Sequence, residues 1–133
     1  MDITILSIDR INNEIEFAGA NHFSYMFNQF KCEILKGDVF SIGGSFQNSN
    51  IYFTNKKVTF EKGATFYLFT DGFIDQFGGD KNTKFLSGRF EQLLQKIQNE
   101  DMEQQKENLI TAFDDWKGDN KQLDDFCLLG IRI

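Results

Sequence analysis

Proline is absent from this chain, histidine and tryptophan occur once each, and cysteine only twice. The two cysteines, Cys32 and Cys127, stand far apart and match no zinc-ligand spacing, which reads as free thiols in a reducing compartment. His22 has no partner histidine or cysteine at ligand distance along the chain, so a loop histidine bonding the backbone is the ordinary reading. Basic clusters are missing as well: no run of lysine and arginine exceeds a pair, and the formal net charge is −6. That balance argues against a nucleic-acid surface. No apolar stretch approaches the roughly 18 residues of a membrane span, and no signal peptide opens the sequence. The expectation is a cytoplasmic chain without nucleic-acid or membrane contact.

Phenylalanine is what the chain has in excess. Sixteen occur among 133 residues, and 41 % of the chain is apolar. Large rings should fill an interior, and residues 1–133 should form a single domain with a real core.

The chain is organised around residues 66–79, which read FYLFTDGFIDQFGG. Phe66 and Leu68 point one way, Tyr67 and Phe69 the other, so this strand is expected to be buried on both faces, in the middle of a sheet or sandwich. Asp71 stands where the strand leaves the core, and Gly72 permits a backbone turn that a Cβ would oppose. A carboxylate at the end of a rigid strand suits a metal ligand or an acid–base group. A simple Asp-Gly turn is the plainer alternative.

The first half reads as strands. Residues 3–8 are rich in β-branched side chains, Asn12-Asn13 is turn chemistry, and 14–17 alternate with Ile15 and Phe17 inward. Phe23, Tyr25 and Phe27 share a face in a third strand, and 32–35 form a fourth, closed by Gly37-Asp38. Gly43-Gly44 marks a loop, 47–50 a polar connector, and 51–54 and 58–60 two short strands before Lys62-Gly63 turns into the central one. The expected arrangement is an antiparallel meander, half exposed.

After Asp71 the period becomes helical. Leu86, Phe90, Leu93, Leu94 and Ile97 mark one helix with Ser87 as its N-cap. Asp101 and Gln104 resemble a capping box, and Met102, Leu109, Ile110, Phe113 and Trp116 continue an apolar stripe that Gly118 ends. A last strand over 126–133 turns Cys127, Leu129, Ile131 and Ile133 inward, and Asp124 and Asp125 stand just before it.

If the strands over 66–70 and 126–133 are neighbours, Asp71 and Asp124 approach each other. Two carboxylates about 4 Å apart repel by roughly 4 kcal/mol at an effective dielectric of about 20. Such a pair must be bridged by a cation, share a proton or stay solvated. Hard divalent cations such as Mg²⁺ or Mn²⁺ suit all-oxygen ligands, and water on them becomes a usable nucleophile near neutral pH. The alternative is that Asp124 and Asp125 are solvated turn residues opening a strand.

Read in order, AGANHFSYMF, SIGGS, LFTDGFIDQFGG, TKF, MEQQKENL with AFDDWKG, and QLDDFCLLGIRI resemble the second half of SpoIIE-type phosphatase domains. These belong to the metal-dependent PPM class of serine/threonine phosphatases. The similarity is to the bacterial signalling branch that carries such a domain after tetratricopeptide or sensor modules. It covers nearly the whole chain, and its specific part is TDGFIDQFGG followed by KF and a terminal QLDD.

The resemblance implies an α/β (α+β) fold: an antiparallel β-sandwich of the PPM type with metals at one rim and two helices packed outside. It implies that Asp71, with Gly72, and Asp124 bind metal, with Asp125, Thr70 and Asp75 as supporting neighbours. The family builds its site from four acidic positions. The two in its N-terminal half, in a Gly-Asp strand and an Asp-x-x-Gly-His-Gly-like motif, have no counterpart here. Where the family tends to have proline after the GAN segment, this chain has His22-Phe23. The chain thus resembles the C-terminal half of the domain, with the N-terminal part of the fold missing.

The implied reaction is hydrolysis of phosphoserine or phosphothreonine on a regulatory protein, often a small anti-sigma-factor antagonist. The complete domain would use two Mn²⁺ or Mg²⁺ ions and a metal-bound water; this chain alone should bind them weakly and show little activity. A non-catalytic, partner-binding signalling module of the same fold is the alternative. A calcium loop over 71–80 is disfavoured, because Phe73 and Phe77 fall where oxygen ligands are wanted. An uncovered sheet edge and exposed phenylalanines on the early strands should favour a homodimer through 3–8 or 23–27.

Overall fold

A computed structural model describes residues 1–29, 31–43 and 50–133 of the chain. Gly44 of the expected loop, and residues 47–49 of the connector, lie outside the described residues. The described residues fall into two compact units, Met1–Leu68 with Ile131–Ile133, and Phe69–Gly130.

In the first unit, β1 (Ile3–Asp9) and β2 (Glu14–Ala20) form the expected hairpin, and β5 (Lys56–Thr59) adds to β2 antiparallel. The hairpin turn is stabilised by Asp9, whose Oδ1 accepts the N–H groups of Ile11 (2.8 Å) and Asn12 (3.1 Å), and Asn13 takes the left-handed φ of 53°. A second sheet contains β3 (Phe23–Asn28), β4 (Lys31–Lys36), β6 (Thr65–Phe69) and β9 (Leu128–Arg132) in the order β4-β3-β6-β9. As expected, β6 is a central strand. His22 bonds the backbone, its Nδ1 accepting the Phe23 N–H at 2.8 Å.

Several expectations fail here. The strands are no meander, because β5 returns to β2 and β6 pairs with β3 instead of with its predecessor. Residues 51–54 form no strand. The reason is burial. Ile15 and Phe17 of β2, Met26 of β3, Leu35 of β4 and Phe66 of β6 form one cluster with Phe60 and Ala64, and local strand order could not close it. The same packing buries β3 on both faces, whereas alternation suggested one. Phe17 is inward as its alternation implied, and Phe27 is covered too, contrary to the exposed phenylalanines expected on the early strands; the exposed apolar side chain on β1 is Ile5, at 58 %. β9 also differs, since Leu129 and Cys127 are exposed. Only Ile131 and Ile133 of the expected inward row reach the cluster.

The second unit holds α1 (Gly72–Asp75), the two-stranded pair β7 (Phe77–Gly78) and β8 (Thr83–Lys84), α2 (Ser87–Ile97) and α3 (Met102–Lys117). Its centre is Phe73, whose ring lies 5.0 to 5.4 Å from those of Phe85, Phe90, Phe113 and Phe126. Asp101 caps α3 as expected, its side chain accepting the Gln104 N–H at 2.8 Å, and Gly118 ends it with φ 52°. The N-cap of α2 is Leu86, at φ 72°, in place of Ser87. Tertiary bonds set that entry: the Leu86 N–H donates to Ile74 (2.8 Å) and the Phe85 N–H to Gln76 (3.0 Å). On α3 the inward row is Gln105, Leu109 and Phe113, while Ile110 is exposed. Gln105 belongs inside because its amide donates to the Gln98 and Glu100 carbonyls at 3.1 and 3.0 Å, where α2 ends. No helix among the described residues is long and apolar enough to cross a membrane.

Candidate functional site

Asp71 directly follows the chain out of β6 and occupies the N-cap position of α1, yet its side chain makes no capping hydrogen bond. The carboxylate is exposed, and its backbone carbonyl accepts the Asp75 N–H at 2.9 Å. The adjoining residues meet the chain that leads into β9. The Thr70 N–H donates to the Cys127 carbonyl (2.9 Å), and the Cys127 N–H donates back to Thr70 Oγ1 (2.9 Å). Thr70 is thus a clamp between the two segments.

Gly72 is required for a different reason from the one expected. It lies in α1 without a left-handed φ. A Cβ built there would stand 2.5 Å from the Asp125 carbonyl oxygen and 2.9 Å from its carbon. The glycine permits close backbone approach, so 70–72 runs directly against 125–127. Asp124 stands beside this contact, exposed, with its Oδ1 accepting the Asp125 N–H (2.8 Å) and its carbonyl accepting Gln122 Nε2 (2.9 Å). With Gln122, Leu123 and Asp125 it lines an open depression of about 430 Å³. Asp75 is engaged elsewhere, its Oδ2 3.0 Å from Lys84 Nζ.

In donor type these residues fit a hard divalent cation: carboxylate oxygens, exposed, with no sulfur or imidazole among them. In number they supply only part of a shell, since no group of three or more acidic, histidine or cysteine side chains suited to a metal occurs among the described residues.

Sequence reasoning missed what holds this region in place. Gln76 is fully buried and bonds Lys121 and Leu123. Gly78 and Gly79 seat Trp116: the Gly79 N–H donates to its carbonyl at 2.9 Å, and a Cβ on Gly78 would fall 1.8 Å from that oxygen. Arg89 lies over the Trp116 ring, 4.7 Å from its centroid. The available signals were a glutamine inside an apolar run and a glycine doublet, both ambiguous without the partner segment.

The architecture matches part of PP2C-type phosphatase domains. The SiaA-PP2C domain of Pseudomonas aeruginosa matches with a TM-score of 0.91 at 31 % identity, over 99 % of this chain and 51 % of its own. The phosphatase domain of the cell fate determinant SpoIIE from Bacillus subtilis matches at 0.71 and 12 % identity, over 99 % of this chain and 58 % of its own. RsbX in complex with magnesium matches at 0.56 and 14 % identity, over 99 % and 56 %; these two show the fold. The chain therefore spans little more than half the length of these relatives. No protein of curated function matches the sequence significantly. The family model of Stage II sporulation protein E (SpoIIE) matches residues 1–133, and the chain belongs to that family.

Proposed function

We propose that this chain is the C-terminal part of a metal-dependent protein serine/threonine phosphatase of bacterial signalling. Its substrate would be phosphoserine or phosphothreonine on a regulatory protein such as an anti-sigma-factor antagonist, in the cytoplasm. The observation that carries the reading is the contact of 70–72 with 125–127, which sets Asp71 and Asp124 on adjoining segments. Asp71 and Asp124 would hold Mn²⁺ or Mg²⁺, and the ion, when bound, supplies a water acidic enough to act as nucleophile near neutral pH. Thr70 keeps the two segments in register, and Gly72 lets them approach. The Asp125 N–H orients the Asp124 carboxylate. Residues 1–133 alone bind the ion weakly and turn over little, because two carboxylates leave most of an octahedral shell to water.

The test is Mn²⁺-dependent hydrolysis of a chromogenic phosphate ester by residues 1–133 and by a longer chain that contains them. The longer chain should be active and lose activity with Asp71→Ala or Asp124→Ala. Metal-dependent turnover indifferent to both substitutions would overturn the assignment. A second reading is a non-catalytic module of the same fold that binds a partner. It predicts partner binding that survives chelation and both substitutions. In either case copies of residues 1–133 associate through β1, which stands at the end of its sheet with Ile5 exposed, and not through 23–27 as also expected, because β3 is already paired with β4 and β6; light scattering across the micromolar range should show a dimer.

A further inference from the structure

Residues 121–127, which lead into β9 and include Asp124, carry no regular structure, and 121–125 are exposed. Thr70 holds their far end at Cys127; before Asp124 they are fixed by the side chain of Gln76, 0 % exposed. Its Nε2 donates to the carbonyls of Phe77 (2.9 Å) and Lys121 (3.1 Å), and its Oε1 accepts the Leu123 N–H (3.2 Å). The backbone of the same residue is equally committed, its carbonyl accepting Trp116 Nε1 (3.1 Å) and the Phe85 N–H (3.0 Å). A primary amide taken out of water is unfavourable unless both ends are bonded. Here both ends are bonded, and two of the three side-chain partners belong to the stretch immediately before Asp124. An apolar side chain could fill the same volume; it could not hold that stretch.

We infer that Gln76 is a positioning residue for Asp124. By gripping Lys121 and Leu123 it fixes the direction from which the next residue presents its carboxylate. The inference rests on the metal-site reading of Asp71 and Asp124. Gln76 touches no substrate or ion and acts only through the segment it holds. Gln76→Met keeps the size and removes all three bonds. Gln76→Glu places carboxylate oxygens against the Phe77 and Lys121 carbonyls and keeps only the acceptor for Leu123.

The experiment is hydrogen exchange combined with Mn²⁺ titration, read by paramagnetic broadening of backbone amide signals. In the unmodified chain the Leu123 amide should exchange more slowly than those of Lys121 and Asp124, although all three residues are exposed. In Gln76→Met that protection should fall by up to about tenfold, the worth of one hydrogen bond. Amides around Phe73 should keep theirs, and the Mn²⁺ concentration that half-broadens the Asp71 and Asp124 amides should rise severalfold, because one of the two carboxylates is no longer held toward the ion. Asp101→Ala, which loosens α3 at its far end, should reproduce none of this. An unprotected Leu123 amide in the unmodified chain overturns the inference even if Gln76→Met does not fold. An unchanged Mn²⁺ midpoint in Gln76→Met overturns it and leaves the metal site standing. Absence of broadening at both aspartates in a longer, active chain that contains residues 1–133 defeats the metal site, and the role of Gln76 with it.

Discussion

Replacing Gly72 by alanine adds one methyl group where a backbone already stands. The new Cβ would lie 2.5 Å from the Asp125 carbonyl oxygen, 2.9 Å from its carbon and 3.3 Å from Phe126 Cβ. Comfortable separations begin near 3.5 Å, so the two segments must part by about 1 Å. The movement strains the paired bonds between Thr70 and Cys127, each 2.9 Å long. Overpacking of this kind costs about 1–3 kcal/mol, against which the better helix propensity of alanine returns about 0.5–1 kcal/mol. The expected net loss is roughly 1–2 kcal/mol. Gly88 is the control, because a Cβ there meets nothing within 4 Å and the residue lies inside α2. Gly88→Ala should gain about 0.5 kcal/mol. Urea denaturation at unchanged m-value reads both shifts. If Gly72→Ala leaves the midpoint where it was, or raises it as Gly88→Ala should, close approach is not why glycine occupies position 72.

Burial pushes the Tyr67 phenol up to about 12 from its ordinary 10.0, with Arg132 opposing the rise. The folded state therefore keeps a proton that the unfolded chain gives up, so the associated stability is complete below pH 10 and lost as pH climbs toward 12; alkaline denaturation of Tyr67→Phe should lack that part of the decline. Asp101→Ala removes the cap on α3 and should lower stability by about 1 kcal/mol by urea denaturation. Phe73→Leu takes away the ring at the centre of four others and should cost on the order of 2 kcal/mol, read as a lower thermal midpoint.

Legibility followed the range of the interaction. Where a residue's environment is decided by near neighbours, as in the alternation of Ile15 and Phe17, the helical spacing of Phe90, Leu94 and Ile97, or the Asp101 cap, the sequence reading matches the structure. It fails where a distant segment decides. Leu86 displaces Ser87 at the helix start because Ile74 and Gln76 claim the backbone there. Gln105 sits inside and Ile110 outside because the end of α2 needs amide donors. The pairing of β5 with β2 answers to burial that no local pattern records. At the candidate site Asp71 and Asp124 were read from their places at strand ends and from resemblance. Gln76 was not, since its partners lie 45 and 47 residues away.

The Thr70–Cys127 contact joins residues 57 apart in sequence. Closing a flexible loop of that length costs roughly 3–4 kcal/mol in chain entropy, whereas α2 and α3, which lie within the loop, form through local contacts. Helices that fold first shorten the span still to be closed, so this meeting of chain segments belongs late on the folding route. The reverse holds in the folded molecule. A fluctuation that separates 70–72 from 125–127 need not disturb either helix, and it would pull Asp71 and Asp124 apart. The spacing of the two carboxylates then lasts only as long as this seam stays closed, and its opening is a local event that can be far faster than global unfolding.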